Sequence, residues 1–337
     1  MLKRSFFGWG RQRIRYQQLT TGTPQLLSLP RPTRATVYIP QALEHLDKAA
    51  LKPGMEISAG QKLALSGDQL SENPGKTVIA PASGTIVALE PFLGNYGRKL
   101  TALTLDLAQS DVWSEEASGE WEAAQLSDKA AYLASLPGGW PQVLLDNPAQ
   151  NPETPIHTII VSAADSDLMV STRRFILETE KEFVPAGIKQ LKALTGIDNV
   201  IIVAGRDQIQ GYGHLGAPIK PAGAYYPDAL PITIVRDLFD AEVPAGSSLE
   251  SQGFAFISVE TVVALGRTVR EGRPALKKTV TLIDKTGQQC VVKALVGTPV
   301  NELLKAGKIS LEEGDRLISG GPMTGQALFA VTQPVMP

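Results

Sequence analysis

The chain has 337 residues, enough for two or three domains at roughly 100–200 residues each. Its 32 basic and 34 acidic residues nearly cancel, so the molecule as a whole lacks the charge of a nucleic-acid binder. One cysteine, Cys290, excludes an internal disulfide and a cysteine-ligated iron–sulfur cluster within these residues, and His45, His157 and His214 are too scattered for a metal site.

Residues 1–43 hold seven basic residues (Lys3, Arg4, Arg11, Arg13, Arg15, Arg31 and Arg34) and no acid, which leaves net −9 on the rest. Phe6, Phe7, Trp9 and Tyr16 are interleaved with them. Two readings stand: an extended arm wrapped on its own domain, or a contact through Lys3, Arg4, Arg11, Arg13 and Arg15 with a partner or an anionic membrane surface. No apolar core follows Lys3 and Arg4, so the segment does not read as a secretory signal. No run approaches the roughly 18 apolar residues of a membrane-spanning helix. The expectation is a cytoplasmic chain that meets a membrane only from its surface.

Residues 44–108 alternate short apolar runs with turns at Pro53-Gly54, Ala59-Gly60 and Pro81–Gly84, which predicts a module of short strands. Residues 109–155 read as an acidic linker. From Asp106 to Asp128 seven acids face no base, and Trp113 and Trp121 punctuate the stretch.

Residues 156–276 switch to alternating strand and helix. An apolar strand at Ile156–Val161 is followed by an acidic turn, in which Asp165 or Ser166 can cap a helix from Leu168 to about Phe183. A second amphipathic helix ends at Gly196, and "NVIIVAG" is the next strand. Strand, helix, strand predicts a parallel sheet, with ligands at the carboxyl ends of its strands, here 162–167 and 205–207. Residues 277–337 return to strands: a hairpin turning at Thr286-Gly287, a short helix after Pro299, and a last pair of strands around Gly320–Gly325.

The motifs that bear on chemistry are few. Gly211–Gly216 satisfies G-x-G-x-x-G, but Pro218 and Pro221 follow instead of a helix, so a mobile loop with Tyr212 and His214 exposed is expected rather than a dinucleotide site. Asp165 and Asp167 are placed to hold a cation or to act as acid and base, or simply to complement a helix dipole. Arg173 and Arg174 are adjacent and therefore point apart, which predicts a solvated face. Cys290 is expected to be a buried strand residue. Gly320-Gly321-Pro322-Met323-Thr324-Gly325 specifies a rigid turn with several positive φ angles.

Four segments in order resemble a known family. "ISGGPMTGQALFAVTQPVMP" is similar to the end of the third domain of the C subunit of the Rnf electron-transport complex. "YYPDALPITIVRDLF" from Tyr225 and "VVALGRTVREGRPALKKTVTL" from Val262 resemble its central segment and its approach to a β-grasp domain. "LSLPRPTRATVYIPQ" from Leu27 precedes a pattern that looks like a biotinyl/lipoyl barrel-sandwich. The order of modules is also that of the A subunit of the Na+-translocating NADH:quinone reductase.

The resemblance implies an α/β protein with all-β modules. These are a lipoyl-like barrel-sandwich domain at 44–108, a Rossmann-like domain resembling the complex I flavin subunit at 156–276, and an SLBB-type β-grasp at 277–337. It implies a place among the subunits of a membrane electron-transport complex, peripheral on the cytoplasmic face of the inner membrane.

Departures from the family then shape the expectation. Its flavin loop is replaced by the shorter Leu136-Pro137-Gly138-Gly139-Trp140-Pro141, and its acidic segment survives only as Asp165 and Asp167. No counterpart of its cysteine-bearing ferredoxin-like tail is expected, and the carrier hairpin around Lys76 lacks the usual flanks. The resemblance therefore implies a structural or docking subunit with no redox centre and no cofactor of its own. The alternative is a flavin-dependent NADH-oxidising subunit that keeps FMN through Gly138, Gly139, Asp165 and Asp167. A lipoyl or biotinyl carrier comes third.

Overall fold

In a computed structural model the chain is described for residues 14–16, 24–44, 49–66, 76–119, 121, 126–145 and 155–337. Its first sheet is antiparallel. Strands β1 (Arg34–Ile39), β2 (Gly84–Leu93) and β3 (Lys99–Leu107) lie in the order β1-β3-β2, with Glu56–Ile57 beyond β2. A ribbon of Lys62–Leu63 and Val78–Ile79 closes over it. Alternation turns Val37 and Ile39, Ile86 and Leu89, and Leu103 and Leu105 into one core. The expected boundary at residue 43 is therefore misplaced. Arg34 and Thr36 face outward on β1, while Ala35, Val37 and Ile39 are buried against β3.

The expected linker is also corrected. Helix α1 (Leu126–Ala134) runs on through Leu136 and Trp140 to a turn of 3-10 helix at Gln142–Leu144. Leu133, Leu136, Trp140 and Leu144 belong to the main core. Trp121 and Tyr132 meet edge to face beside Ile79 and Leu276, so this segment staples the neighbouring modules together. Glu115 and Glu116 in this stretch are exposed, while its apolar residues form its seat.

Four parallel strands follow in the order β6-β5-β4-β7: β4 (Thr158–Ser162), β5 (Val200–Gly205), β6 (Ile219–Ala222) and β7 (Phe254–Ser258). Between them come α2 (Thr172–Glu180), α3 (Val184–Thr195) and α4 (Pro231–Phe239), and α5 (Val259–Glu271) follows β7. Both faces are covered, which is why the strands are continuous apolar runs. Ile159, Val161, Val200 and Ile202 face α2, α3 and α5, whereas Ile160, Ile201 and Val203 face α4.

The last part is the hairpin β8 (Lys277–Ile283) and β9 (Gln289–Leu295) with helix α6 (Val300–Ala306). Leu26–Leu27 adds a third, parallel strand to β9, so the arm is part of this sheet. A ribbon of Ile318–Ser319 and Gln326–Ala327 ends the chain's described strands. The α/β sheet with separate β modules is the fold class the sequence predicts. Among the described residues, no helix is long and apolar enough to cross a membrane.

Candidate functional site at the carboxyl edge of the parallel sheet

The chain runs from β4 outward to β5 and β6, then returns to place β7 on the other side of β4. The switch point, where ligands of open α/β sheets sit, therefore lies beyond Ser162 and Ser258. The sequence candidates converge there. Asp165 follows β4, while the Gly138-Gly139 turn rests on Glu260 and Thr261 at the start of α5.

Asp165 does cap the helix, but from a distance. Helix α2 starts at Thr172 rather than Leu168, because Met169 turns the chain through a positive φ of 62°. The two Asp165 carboxylate oxygens accept from the backbone N–H groups of Arg173 and Arg174, at 2.8 and 3.2 Å. Burial pushes its carboxyl up to about 6, against the pull of these bonds and of the two arginines. Arg173 is not on a solvated face. Its guanidinium donates inward to the Ala164 carbonyl and the Ser166 hydroxyl, at 3.1 and 3.2 Å. Arg174 does turn outward, yet it too is engaged, bridging Glu178 at 2.8 Å and Asp207 at 2.5 Å.

Asp167 faces elsewhere. It is 5% exposed and accepts from the backbone of Leu168, Met323 and Thr324 and from the Thr324 hydroxyl. Burial alone would raise its pKa; the Thr324, Met323 and Leu168 bonds outweigh it and hold the carboxyl below its ordinary value. The glycine-rich string thus lies on the sheet edge, and neither aspartate is free to bind a cation. Among the described residues no group of three or more His, Cys, Asp or Glu forms a metal site.

The Gly138-Gly139 turn lies directly against the start of α5. Gly138 has φ 90°, and a Cβ on it would stand 2.5 Å from Thr261 Oγ1 and 2.9 Å from the Thr261 amide nitrogen. The Thr261 hydroxyl donates to the Gly139 carbonyl at 2.8 Å, and Ser258 Oγ caps α5 by accepting from Glu260 N–H. A flavin phosphate needs open helix amides and room above them. Here Asp165 occupies the amides of α2, and the glycine turn covers those of α5.

A cleft of about 400 Å3 opens on the other side of α5, between that helix, Trp113, Pro137 and the β8–β9 hairpin. Charges that the sequence did not single out organise it. Glu180 is 7% exposed and bridges Arg267 at 2.5 Å and Lys293 at 2.7 Å. Glu260 accepts from the Thr279 amide at 2.7 Å and from Lys278 at 3.2 Å. Their only sequence signal is the i, i+7 spacing of Glu260 and Arg267 on one face of α5.

Other candidates fall outside both places. Gly211–Gly216 leads into strand β6 and not into a helix, which removes the dinucleotide geometry. Tyr212 is half-buried, not exposed as expected, because it packs on the main core, and burial raises its pKa to about 12. Cys290 is half-buried in β9, and burial raises its thiol pKa. Lys76 is exposed. Lys3, Arg4, Arg11 and Arg13 lie outside the described residues. Arg15 pairs opposite Tyr225 and stacks its guanidinium 5.6 Å from that ring, so its cation is engaged within the chain.

No family model matches the chain. The C subunit of the ion-translocating oxidoreductase complex of Pseudomonas aeruginosa is 27% identical over 319 residues, which is 89% of this chain and 40% of that protein. Its counterpart in Yersinia enterocolitica is 26% identical over 84% of this chain and 43% of its own length. That of Haemophilus influenzae is 25% identical over 90% and 49%. The chain thus spans less than half the length of these relatives. A crystal structure of an NAD+-reducing [NiFe]-hydrogenase in the H2-reduced state superposes with TM-score 0.47 at 16% identity, covering 65% of this chain and 46% of that one. Along about nine-tenths of its length the chain is Rnf C-like, similar to the C subunits of ion-translocating oxidoreductase complexes.

Proposed function

We propose that the chain is a peripheral subunit of a membrane-bound, Rnf-like electron-transport complex, on the cytoplasmic face, with a docking role and no redox centre of its own. The similarity to the C subunits of such complexes supports this placement. The docking role rests on one observation: Gly138 lies on Thr261 at the switch point, where a flavin or dinucleotide would have to enter. The chain's own carboxylate and loop serve the helix amides that a phosphate would need. Its modules are also tied to one another, by Asp167 and Thr324 and by Glu180 and Lys293, as suits a scaffold that transmits position. The basic arm, through Lys3, Arg4, Arg11 and Arg13, is the proposed contact with other subunits.

The test is affinity purification of the tagged chain from detergent-solubilised membranes, followed by an absorbance spectrum of the chain alone. Co-purifying membrane-embedded subunits and no flavin band are expected. Recovery without membrane proteins would remove the complex from the reading, and one flavin per chain would make the FMN-binding subunit the better one.

A further inference from the structure

The cleft beside α5, about 400 Å3, has the size of a small-molecule site. One of its walls is the β8–β9 hairpin. Val280, Val292 and Ala294 turn to the hairpin's own core under α6, so the alternate side chains face the other way. On that other face Thr279 lies opposite Lys293, and Lys277 opposite Leu295. Lys277 and Lys293 are therefore diagonal neighbours on one wall. The other walls include Val263 and Ala264 of α5, with Trp113 and Pro137. Arg273 lies over the Trp113 ring at 5.4 Å.

Hydrogen bonding in the cleft leaves donors over, not acceptors. Four carboxylates line it, and each is engaged. Asp111 accepts both arms of the Arg31 guanidinium, at 2.6 and 3.0 Å, and the Ser83 amide. Glu180 gives one oxygen to Arg267 and the other to Lys293. Glu260 gives one to the Thr279 amide and the other to Lys278. Glu271 pairs with Arg267 at 3.0 Å. Of the three lining cations, Arg267 is held between two carboxylates, and Lys293 uses one of its three protons. Lys277 differs: among the described residues it forms no hydrogen bond or ion pair, and it acts on Asp111 only through its field.

With the partners Arg31 and Lys278 counted, five cations stand against four carboxylates, and the excess is the charge of Lys277. Glu115 and Glu116 follow Trp113 in the chain but do not line the cleft, and Glu116 pairs with Lys62 at 3.5 Å. A cationic occupant would have to take a carboxylate from a base that already holds it. An anionic one meets ammonium protons that nothing else uses. The indole and proline faces beside them suit a flat ring.

We propose that the cleft binds a small aromatic anion, a carboxylate or phosphate carried on a flat ring, with the anionic group at Lys277 and Lys293 and the ring against Trp113 and Pro137. Glu180, 7% exposed, holds Lys293 in place for this contact. The site lies across α5 from the carboxyl edge of the sheet, so it stands whether or not the chain docks in a membrane complex.

The test is a fluorescence titration of the full chain with two dyes of similar shape. Anilinonaphthalene sulfonate is anionic, and phenylnaphthylamine lacks the sulfonate. Saturable binding of the anionic dye is expected, with the neutral dye bound more weakly. Lys277→Gln should weaken the anionic dye about five- to tenfold and leave the neutral one unchanged, whereas Lys277→Arg should keep most of the affinity. Lys277 is exposed, so the melting temperature should not move. Naphthyl phosphate or naphthoate should displace the anionic dye, and the one that does so at lower concentration identifies the anionic group. No saturable binding, displacement by neither compound, or equal affinity of the anionic dye for the parent and Lys277→Gln overturns the proposal. So does a parallel loss of both dyes, which would mean that the substitution acts through the fold and not through its charge.

Discussion

Asp167 and Thr324 stand 157 residues apart and meet through two bonds to one carboxylate oxygen, from the Thr324 amide at 2.8 Å and from its hydroxyl at 2.6 Å. The same carboxylate receives the Met323 amide at 3.1 Å. Gly321 passes so close that a Cβ there would lie 2.1 Å from Asp167 Cγ. A single side chain therefore fastens the Gly320–Gly325 turn to the carboxyl edge of the parallel sheet.

Removing that carboxylate should loosen the turn. Asp167→Ala leaves four donors, three of them in the turn, without their charged acceptor and is expected to cost about 2–3 kcal/mol in urea unfolding. Thr324→Val removes only the hydroxyl bond and should cost about 1 kcal/mol. Limited proteolysis within 320–325 should accelerate in the order Thr324→Val, then Asp167→Ala. Equal costs for the two variants would mean that the amide bonds contribute nothing.

The sequence made the sheet legible because its strands are buried on both sides: the apolar runs at 158–162 and 200–205 need no partner to be recognised. Helix capping by Asp165 was legible in kind but not in place, since the left-handed turn at Met169 is set by contacts further along the chain. Strand β1 was hidden inside a basic segment whose charge is carried by its outward residues. Trp121, Leu133 and Leu144 were masked by the run of acids in the same stretch of sequence. The Asp167–Thr324 and Glu180–Lys293 ties join residues with no local pattern in common, so only the folded chain brings them together.

The two aspartates beside β4 should respond to pH with opposite signs. Asp165 is raised from 3.8 to about 6, so as pH rises the unfolded chain releases its proton first and stability falls between these values. At about 1.4 kcal/mol per tenfold change in affinity, the loss is at most roughly 3 kcal/mol, and less because the residue keeps some contact with water. Asp167 is lowered, so its contribution is present above the ordinary aspartate value and is lost as pH falls through the folded value. Asp165→Asn keeps an acceptor but cannot ionise. Unfolding midpoints from pH 4 to 7 should show the parent losing stability relative to this variant as pH rises. Parallel pH profiles for the two proteins would mean that Asp165 ionises as freely in the fold as in the open chain.

Glu180 should be intolerant of neutralisation. It is 7% exposed and holds both Arg267 and Lys293. Glu180→Gln keeps the shape but leaves two cations facing each other at the cleft. A buried pair broken on one side costs about 3–5 kcal/mol, and partial exposure of the two cations brings the expectation down to about 2 kcal/mol. Adding Lys293→Met to Glu180→Gln should recover part of that loss, because Lys293 has lost its carboxylate whereas Arg267 keeps Glu271 at 3.0 Å. A double variant no more stable than Glu180→Gln would show that the cation left unpaired is not what makes the single change costly.

Gly138 and Gly139 offer a controlled pair beside the start of α5. Both have positive φ, 90° and 74°, so alanine at either place carries a backbone strain of about 1 kcal/mol. Only Gly138 adds a collision, with its Cβ 2.5 Å from Thr261 Oγ1 and 2.9 Å from the Thr261 amide, whereas a Cβ on Gly139 meets nothing within 4 Å. The amide belongs to the first turn of α5 and cannot step aside, so Gly138→Ala must lift the turn off the helix. It should cost about 3 kcal/mol or more, against about 1 kcal/mol for Gly139→Ala. Thr261→Ala in the Gly138→Ala background removes the hydroxyl but not the amide, and should restore only part of the difference. Urea unfolding of the four proteins measures this directly. If Gly138→Ala and Gly139→Ala prove equally mild, the turn does not press on α5 as described.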